Sequence, residues 1–232
     1  MDNLKDHRFF LFISLHQISF EVLDSKNNVY FKKKTKLKDL SKIDNFRSVE
    51  NFLDENIFQI EKTLDMYVEE INLIINYRDF FSVNLSIKSS LKDFDINRNI
   101  SSSLIDLKNQ FKKTIGDYEI VHMIINKFIV DGADHKSLPN DIVDKNISIE
   151  VSFICLQYFI INELKKILSK YQISVKKTFF YEYLKNFRQS NEENFSITAS
   201  NILAGINENE ILLLNKSRKK AGFFEKFFKF FS

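Results

Sequence analysis

The chain has 232 residues, enough for one large or two small hydrophobic cores. Hydrophobic residues make up 44% and charged residues 28%, a balance that excludes a disordered chain. Its 34 basic and 31 acidic residues leave a net charge of only +3, which excludes a global field drawing the protein to nucleic acid, so any basic function has to be local.

Strands are expected first. Residues 9–36 predict a three-strand meander: "FFLFISL", "ISFEVLD" and, beyond the "SKNN" turn, "VYFKKKT", each short and rich in β-branched or aromatic residues. The first of these runs is shorter than the roughly 20 residues of a membrane span and lacks a small-residue cleavage site. Neither a spanning helix nor a signal peptide is expected. From Ser48 onward Val49, Phe52, Leu53, Ile57, Ile60, Leu64, Tyr67, Val68 and Ile71 recur every three or four residues, the spacing of one helical face. "INLIIN" (71–76) reads as a buried strand, and Phe81, Val83, Leu85 and Ile87 alternate with polar residues as a half-buried one.

Ser103 and Asp106 resemble a capping box opening a helix through Leu104, Leu107, Phe111 and Ile115, which Gly116 can end. "EIVHMIINKFIVDG" is extended and closes in a turn at Asp131–Gly132. Beyond the loop holding Pro139, the sole proline, Ile147, Ile149, Val151, Phe153 and Cys155 alternate as a strand. Leu156, Phe159, Ile160, Leu164, Ile167 and Leu168 then mark a helix, "ISVKKT" (173–178) a strand, and Phe180, Tyr183, Leu184 and Phe187 a short helix. "RQSNEEN" (188–194) reads as a polar linker, "FSITASNILAGI" as a short helix and "EILLL" as an extended piece. Such alternation predicts a layered α/β or α+β core.

This order of elements resembles the N-terminal lobe of FtsA, a family of actin-like membrane adaptors of bacterial cell division. The resemblance covers about residues 9–185 and the C-terminal tail; "IINKFIVDG" and the helix-to-strand passage ending "YQISV" are its closest local matches. It implies an actin-like, ribonuclease-H-like half-lobe with an inserted small α/β subdomain and a C-terminal amphipathic helix. The implied organisation is a first part of the lobe at 1–79, the subdomain at 80–172, a return to the lobe with a linker at 173–215, and a basic membrane-binding tail at 216–232. In the family the subdomain mediates self-association and contact with later division proteins. Two features depart from the family. "FISLHQISF" has neither the Gly nor the Asp of the phosphate-binding hairpin, and the second actin-like lobe, which contacts the ring protein FtsZ, has no counterpart here.

Chemistry is sparse. A phosphate cradle needs clustered glycines so that backbone N–H groups reach the anion; Gly116, Gly132, Gly205 and Gly222 are scattered. No ATP binding, no cofactor and no enzymatic activity is expected. His7, His16, His122 and His135 have no metal-ligand spacing with one another or with Cys155, and His16 and His122 read as structural. Asp131, Asp134 and His135 read as a polar turn, Asp141 and Asp144 as solvated carboxylates. Cys155, the single cysteine, reads as a small core residue and leaves no partner for an internal disulfide, so a reducing compartment is expected.

The tail is the sharpest functional signal. As a helix, Phe223, Phe224, Phe227, Phe228, Phe230 and Phe231 fall within an arc of roughly 160°, with Lys226 and Lys229 on the remainder and Arg218, Lys219 and Lys220 just before. Such a stripe suits a reversible anchor in the plane of an anionic inner-membrane surface. Docking on the protein's own body or in a partner's groove are the alternatives. Together these readings predict a peripheral, cytoplasmic-face adaptor that engages divisome proteins through the subdomain. A second resemblance, to the pilus-assembly relative PilM, implies instead an adaptor for a peptide of a membrane partner, and a degenerate actin-like ATPase is the third reading.

Overall fold

The structure, a computed structural model, describes residues 7–37, 46–90, 96–139, 142, 146–190 and 193–212. All the tail residues singled out above, from Arg218 to Phe231, lie outside the described residues, as do Asp141 and Asp144.

Three strands open the fold: β1 (Arg8–Ile13), β2 (Gln17–Leu23) and β3 (Val29–Lys36) form the expected antiparallel meander. Helix α1 (Phe46–Leu64) follows, then β4 (Glu70–Ile75), which pairs parallel to β1. After an intervening segment, β9 (Ser174–Phe180) pairs parallel to β4 and completes a five-stranded sheet in the order β3-β2-β1-β4-β9. That order, with only β2 reversed, is the ribonuclease-H-like half-lobe. The central strand β1 is apolar on both faces because it is covered on both, so its residues read as an unbroken run in place of an alternation.

The segment between β4 and β9 builds a second sheet. Strand β5 (Phe80–Ser90), helix α2 (Ile96–Thr114), β6 (Tyr118–Val130), β7 (Ala133–His135) and β8 (Asn146–Gln157) give the antiparallel order β5-β8-β6-β7. Its core of Ile149, Val151, Phe153 and Cys155 packs with Leu104 and Met123. Helix α3 (Tyr158–Lys170), the last element of the segment read as inserted, buries Ile160, Ile161, Leu164, Ile167 and Leu168 in the core of the first sheet. Helices α4 (Tyr181–Lys185) and α5 (Phe195–Leu203) finish the lobe.

Several boundaries differ from expectation, each for a physical reason. Helix α1 stops at Leu64 because Asp65 turns left-handed, φ 51°; Tyr67 is exposed, Val68 is buried in the connection and Ile71 belongs to β4. The period simply ran on by coincidence across the turn. Helix α2 begins at Ile96, two turns before Ser103, so the Ser103–Asp106 capping box is interior. Its first turns are rich in Asn and Ser and look like a loop, yet Ile100 stands one turn before Leu104 and joins the same core. Leu156 belongs to β8 and does not open α3, and Phe159 stays largely exposed beside Phe46, ring centroids 5.6 Å apart. The stretch around 188–194 is not a free spacer: Asn194 caps α5 by accepting from the Ser196 N–H and donates to buried Glu21, while Asn27 hydrogen-bonds Asn201 at 2.9 Å. Among the described residues no helix is long and apolar enough to cross a membrane.

Candidate functional site

A buried polar cluster sits where the two sheets meet. His122 comes from β6, Lys177 from β9, Tyr183 from α4, and Glu210 from the short extended piece after α5. Local structure explains each arrival. The β4–β9 register slips at Lys176, so that Asn72 faces Lys177 and the Lys177 side chain turns inward toward β6, where its Nζ donates to the Val121 carbonyl at 2.9 Å. The segment 207–211 pairs with the free edge of β6: the Ile125 N–H donates to the Asn209 carbonyl, and the Ile211 N–H to the Met123 carbonyl, both at 2.8 Å. That ladder delivers Glu210 into the junction.

Glu210 is the acceptor on which the cluster converges. His122 Nδ1 lies 2.8 Å from Glu210 Oε1, the Tyr183 hydroxyl donates to Oε2 at 2.6 Å, and Lys177 Nζ stands 3.4 Å from Oε1. The Phe180 N–H donates to His122 Nε2 at 2.9 Å, so the neutral ring carries its proton on Nδ1, pointing at Glu210. Asn207 completes the set by donating to the Tyr183 hydroxyl at 2.8 Å.

Electrostatics follow from burial and pairing. Burial pushes His122 down to about 4, against the pull of the Glu210 hydrogen bond. Burial also lowers Lys177, opposed by Glu210, and raises the Tyr183 phenol, which the Glu210 hydrogen bond raises further. For Glu210, burial alone would raise the carboxyl; the His122 hydrogen bond, helped by Lys177 and Tyr183, outweighs it and holds the group below its ordinary range. The His122, Lys177 and Glu210 side chains are all at 1% exposure or less, shut off from solvent. Their chemistry is that of a clasp: a fully hydrogen-bonded ion pair that fixes one sheet against the other.

In sheets of this kind ligands bind outside the carboxyl ends of the parallel strands. Here that edge of β1, β4 and β9 carries rings: Tyr181 lies 4.4 Å from Phe195 and 5.7 Å from Phe12, with the Arg188 guanidinium 4.5 Å above Phe195. The β1–β2 turn closes on Ser14, whose hydroxyl donates to the Gln17 carbonyl and accepts from the His16 and Gln17 N–H groups. It contains no glycine. A surface cleft of about 620 Å³ opens at the opposite, amino end of these strands, beside Arg8, Tyr67 and Asn72, and its Lys176 and Glu70 pair at 3.2 Å.

The other residues read from sequence are dispersed. His16 is exposed in the hairpin, and His135 ends β7. Asp131 and Gly132 occupy the tight β6–β7 turn, and Asp134 pairs with Lys127 at 2.7 Å. Cys155 is fully buried, and burial pushes its thiol up to about 12. Among the described residues no three His, Cys, Asp or Glu gather as metal ligands would. Lys177 and Glu210 were not singled out from sequence, and nothing local marks them: in "SVKKTFF" Lys177 lies between Lys176 and Thr178, and only its burial in the fold makes it a lysine that requires an acid.

No family model and no curated protein matches the chain. Among solved structures it is similar to the PilM–PilN type IV pilus biogenesis complex, at 6% identity over 76% of this chain and 48% of that one, TM-score 0.48. It is also similar to the cytoplasmic domain of EpsL, an inner membrane component of the type II secretion system of Vibrio cholerae (8% identity, 80% and 59% coverage, TM-score 0.37). A third is a Bacteroides thetaiotaomicron protein with an actin-like ATPase fold and unknown function (12% identity, 81% and 59% coverage, TM-score 0.35). The chain thus spans 48% to 59% of the length of these chains. At such scores the likenesses carry no functional argument, and the fold rests on the strand order itself.

Proposed function

We propose that this protein is a non-enzymatic adaptor, held at the cytoplasmic face of a bacterial inner membrane by its C-terminal tail and binding a membrane-associated assembly protein through the sheet built from residues 80–157. The observation that carries the non-enzymatic part is the aromatic packing of Phe12, Tyr181 and Phe195 along the strand edge where a nucleotide would need open backbone. Rings in that position favour a binding module over an ATPase.

The membrane part rests on sequence. Full burial of one Phe is worth about 1.5–3 kcal/mol, so partial insertion of Phe223, Phe224, Phe227, Phe228, Phe230 and Phe231 offsets the ordering of a single short helix. Each of Arg218, Lys219, Lys220, Lys226 and Lys229 adds on the order of 1 kcal/mol near an anionic leaflet. A division protein is the first reading for the partner and a pilus-machinery protein the second; midcell against polar localisation of the tagged chain separates them.

Co-sedimentation with phosphatidylglycerol-rich vesicles tests the anchor. The full chain is expected to pellet in a salt-sensitive manner and a form ending at Asn215 to stay in solution; equal pelleting removes the tail from the reading. Isothermal titration with ATP and magnesium is expected to give no binding heat, and micromolar affinity would restore the ATPase.

A further inference from the structure

Strand β5 forms one edge of the second sheet. It pairs with β8 through all eleven of its residues without a bulge, and no described residue pairs with its other side. Alternate residues of such a strand turn their N–H and C=O groups outward, ready for another strand. Among the described residues the other sheet edges are charged, short or covered. Strand β3 carries Lys32, Lys33, Lys34 and Lys36, β7 is three residues long, and β9 is covered by β6 through the Lys177 and His122 hydrogen bonds. Strand β5 has no proline and a single charge, Lys88.

The core also stops short at this edge. Phe81, Val83, Leu85 and Ile87 remain half-buried, whereas their neighbours on β8, Cys155, Phe153, Val151 and Ile149, are fully buried. An additional strand would complete the layer.

We propose that this strand is a second copy of the chain, joined antiparallel to β5 about Asn84 so that two four-stranded sheets become one of eight. The residues from Phe81 to Ile87 form a chemical palindrome about that position. Antiparallel pairing centred on Asn84 sets Val83 opposite Leu85 and Phe81 opposite Ile87 of the other copy. On the exposed face Ser82 meets Ser86, and Lys88 meets Phe80. Every apolar side chain of the half-buried row faces an apolar one, and no like charges oppose each other. Because opposed residues in antiparallel strands share a face, both copies of α2 lie on the same side of the joined sheet. A foreign strand would fill the edge as well, but a copy of this one meets it apolar to apolar and hydroxyl to hydroxyl from Phe81 to Ile87. The inference is independent of the tail and its surface.

Sedimentation velocity of the full chain without lipid, over a concentration series, tests it. The expected result is a reversible monomer–dimer equilibrium. S82K/S86K places two lysine pairs across the joint and is expected to weaken the dimer roughly tenfold or more. S82E/S86K restores opposite charges at the same exposed positions and is expected to restore it, and unchanged circular dichroism verifies the fold of both. Because Cys155 is buried, N84C offers the sole accessible thiol and is expected to cross-link two copies on mild oxidation. S82C alone is expected not to cross-link, but to do so when mixed with S86C. A chain that stays monomeric at its highest soluble concentration, or a dimer indifferent to S82K/S86K with no N84C cross-link, overturns the proposal.

Discussion

His122 Nδ1 and Glu210 Oε1 stand 2.8 Å apart although 88 residues separate them in the chain, and through this contact the last described segment is tied to the second sheet. The same carboxylate balances Lys177, whose side chain is 1% exposed. Glu210→Ala leaves that ammonium buried without a counter-charge and is expected to cost about 3–5 kcal/mol. Tyr183→Phe removes one hydrogen bond to a carboxylate that keeps its other donors, and is expected to cost about 1–3 kcal/mol. Urea unfolding of the two variants checks both the size and the order of the effects.

The cluster also sets an acid limit. Folded His122 titrates near 4 against an ordinary 6.5, so between those values the unfolded chain binds the extra proton and stability falls as pH is lowered. The loss through that window is at most about 3 kcal/mol. Glu210 acts below it: its depressed carboxyl stabilises the fold above the ordinary 4.5 and ceases to as pH falls further. His122→Gln removes the first leg. Its unfolding midpoint is expected to be flatter between neutral pH and 5 than that of the unmodified chain.

Turn chemistry at the end of β6 gives a backbone test. Asp131 and Gly132 both have positive φ, 49° and 88°, as a two-residue hairpin turn requires. A Cβ on Gly132 would meet no atom within 4 Å, so the cost of Gly132→Ala is conformational alone, about 1 kcal/mol. Asp131→Asn, which tolerates the left-handed region equally, is expected to be neutral, and thermal melting of the two variants checks both.

Cys155 offers the simplest check of the second core. It is fully buried, with its thiol raised to about 12. The native protein is expected to leave an aromatic disulfide reagent unreacted at neutral pH and to take up one equivalent on unfolding. Prompt reaction in the native state would mean that the β8 layer opens.

Local periodicity carried most of the architecture. The alternation of Phe81, Val83, Leu85 and Ile87, the apolar run of "INLIIN" and the helical stripe from Val49 to Leu64 each correspond to an observed element. What failed were ends: the helix-like spacing continued past Asp65 although the backbone had turned, and the polar first turns of α2 concealed a helix whose packing comes from Ile100.

The sequence by itself determined which segments are strands and helices, because those choices depend on neighbours within about two turns or a few alternations. It also carried the Phe223–Phe231 stripe and the palindrome around Asn84, both of which are patterns along the chain. Only the tertiary structure decided that His122, Lys177, Tyr183 and Glu210 would meet. A lysine that folding buries needs an acid, but "SVKKTFF" does not say that Lys177 and not Lys176 will be that lysine; the register slip at Lys176 turns Lys177 inward, and strand order determines which acid arrives. A buried charge is tolerated only where a distant segment delivers its partner, and no local pattern records that distance.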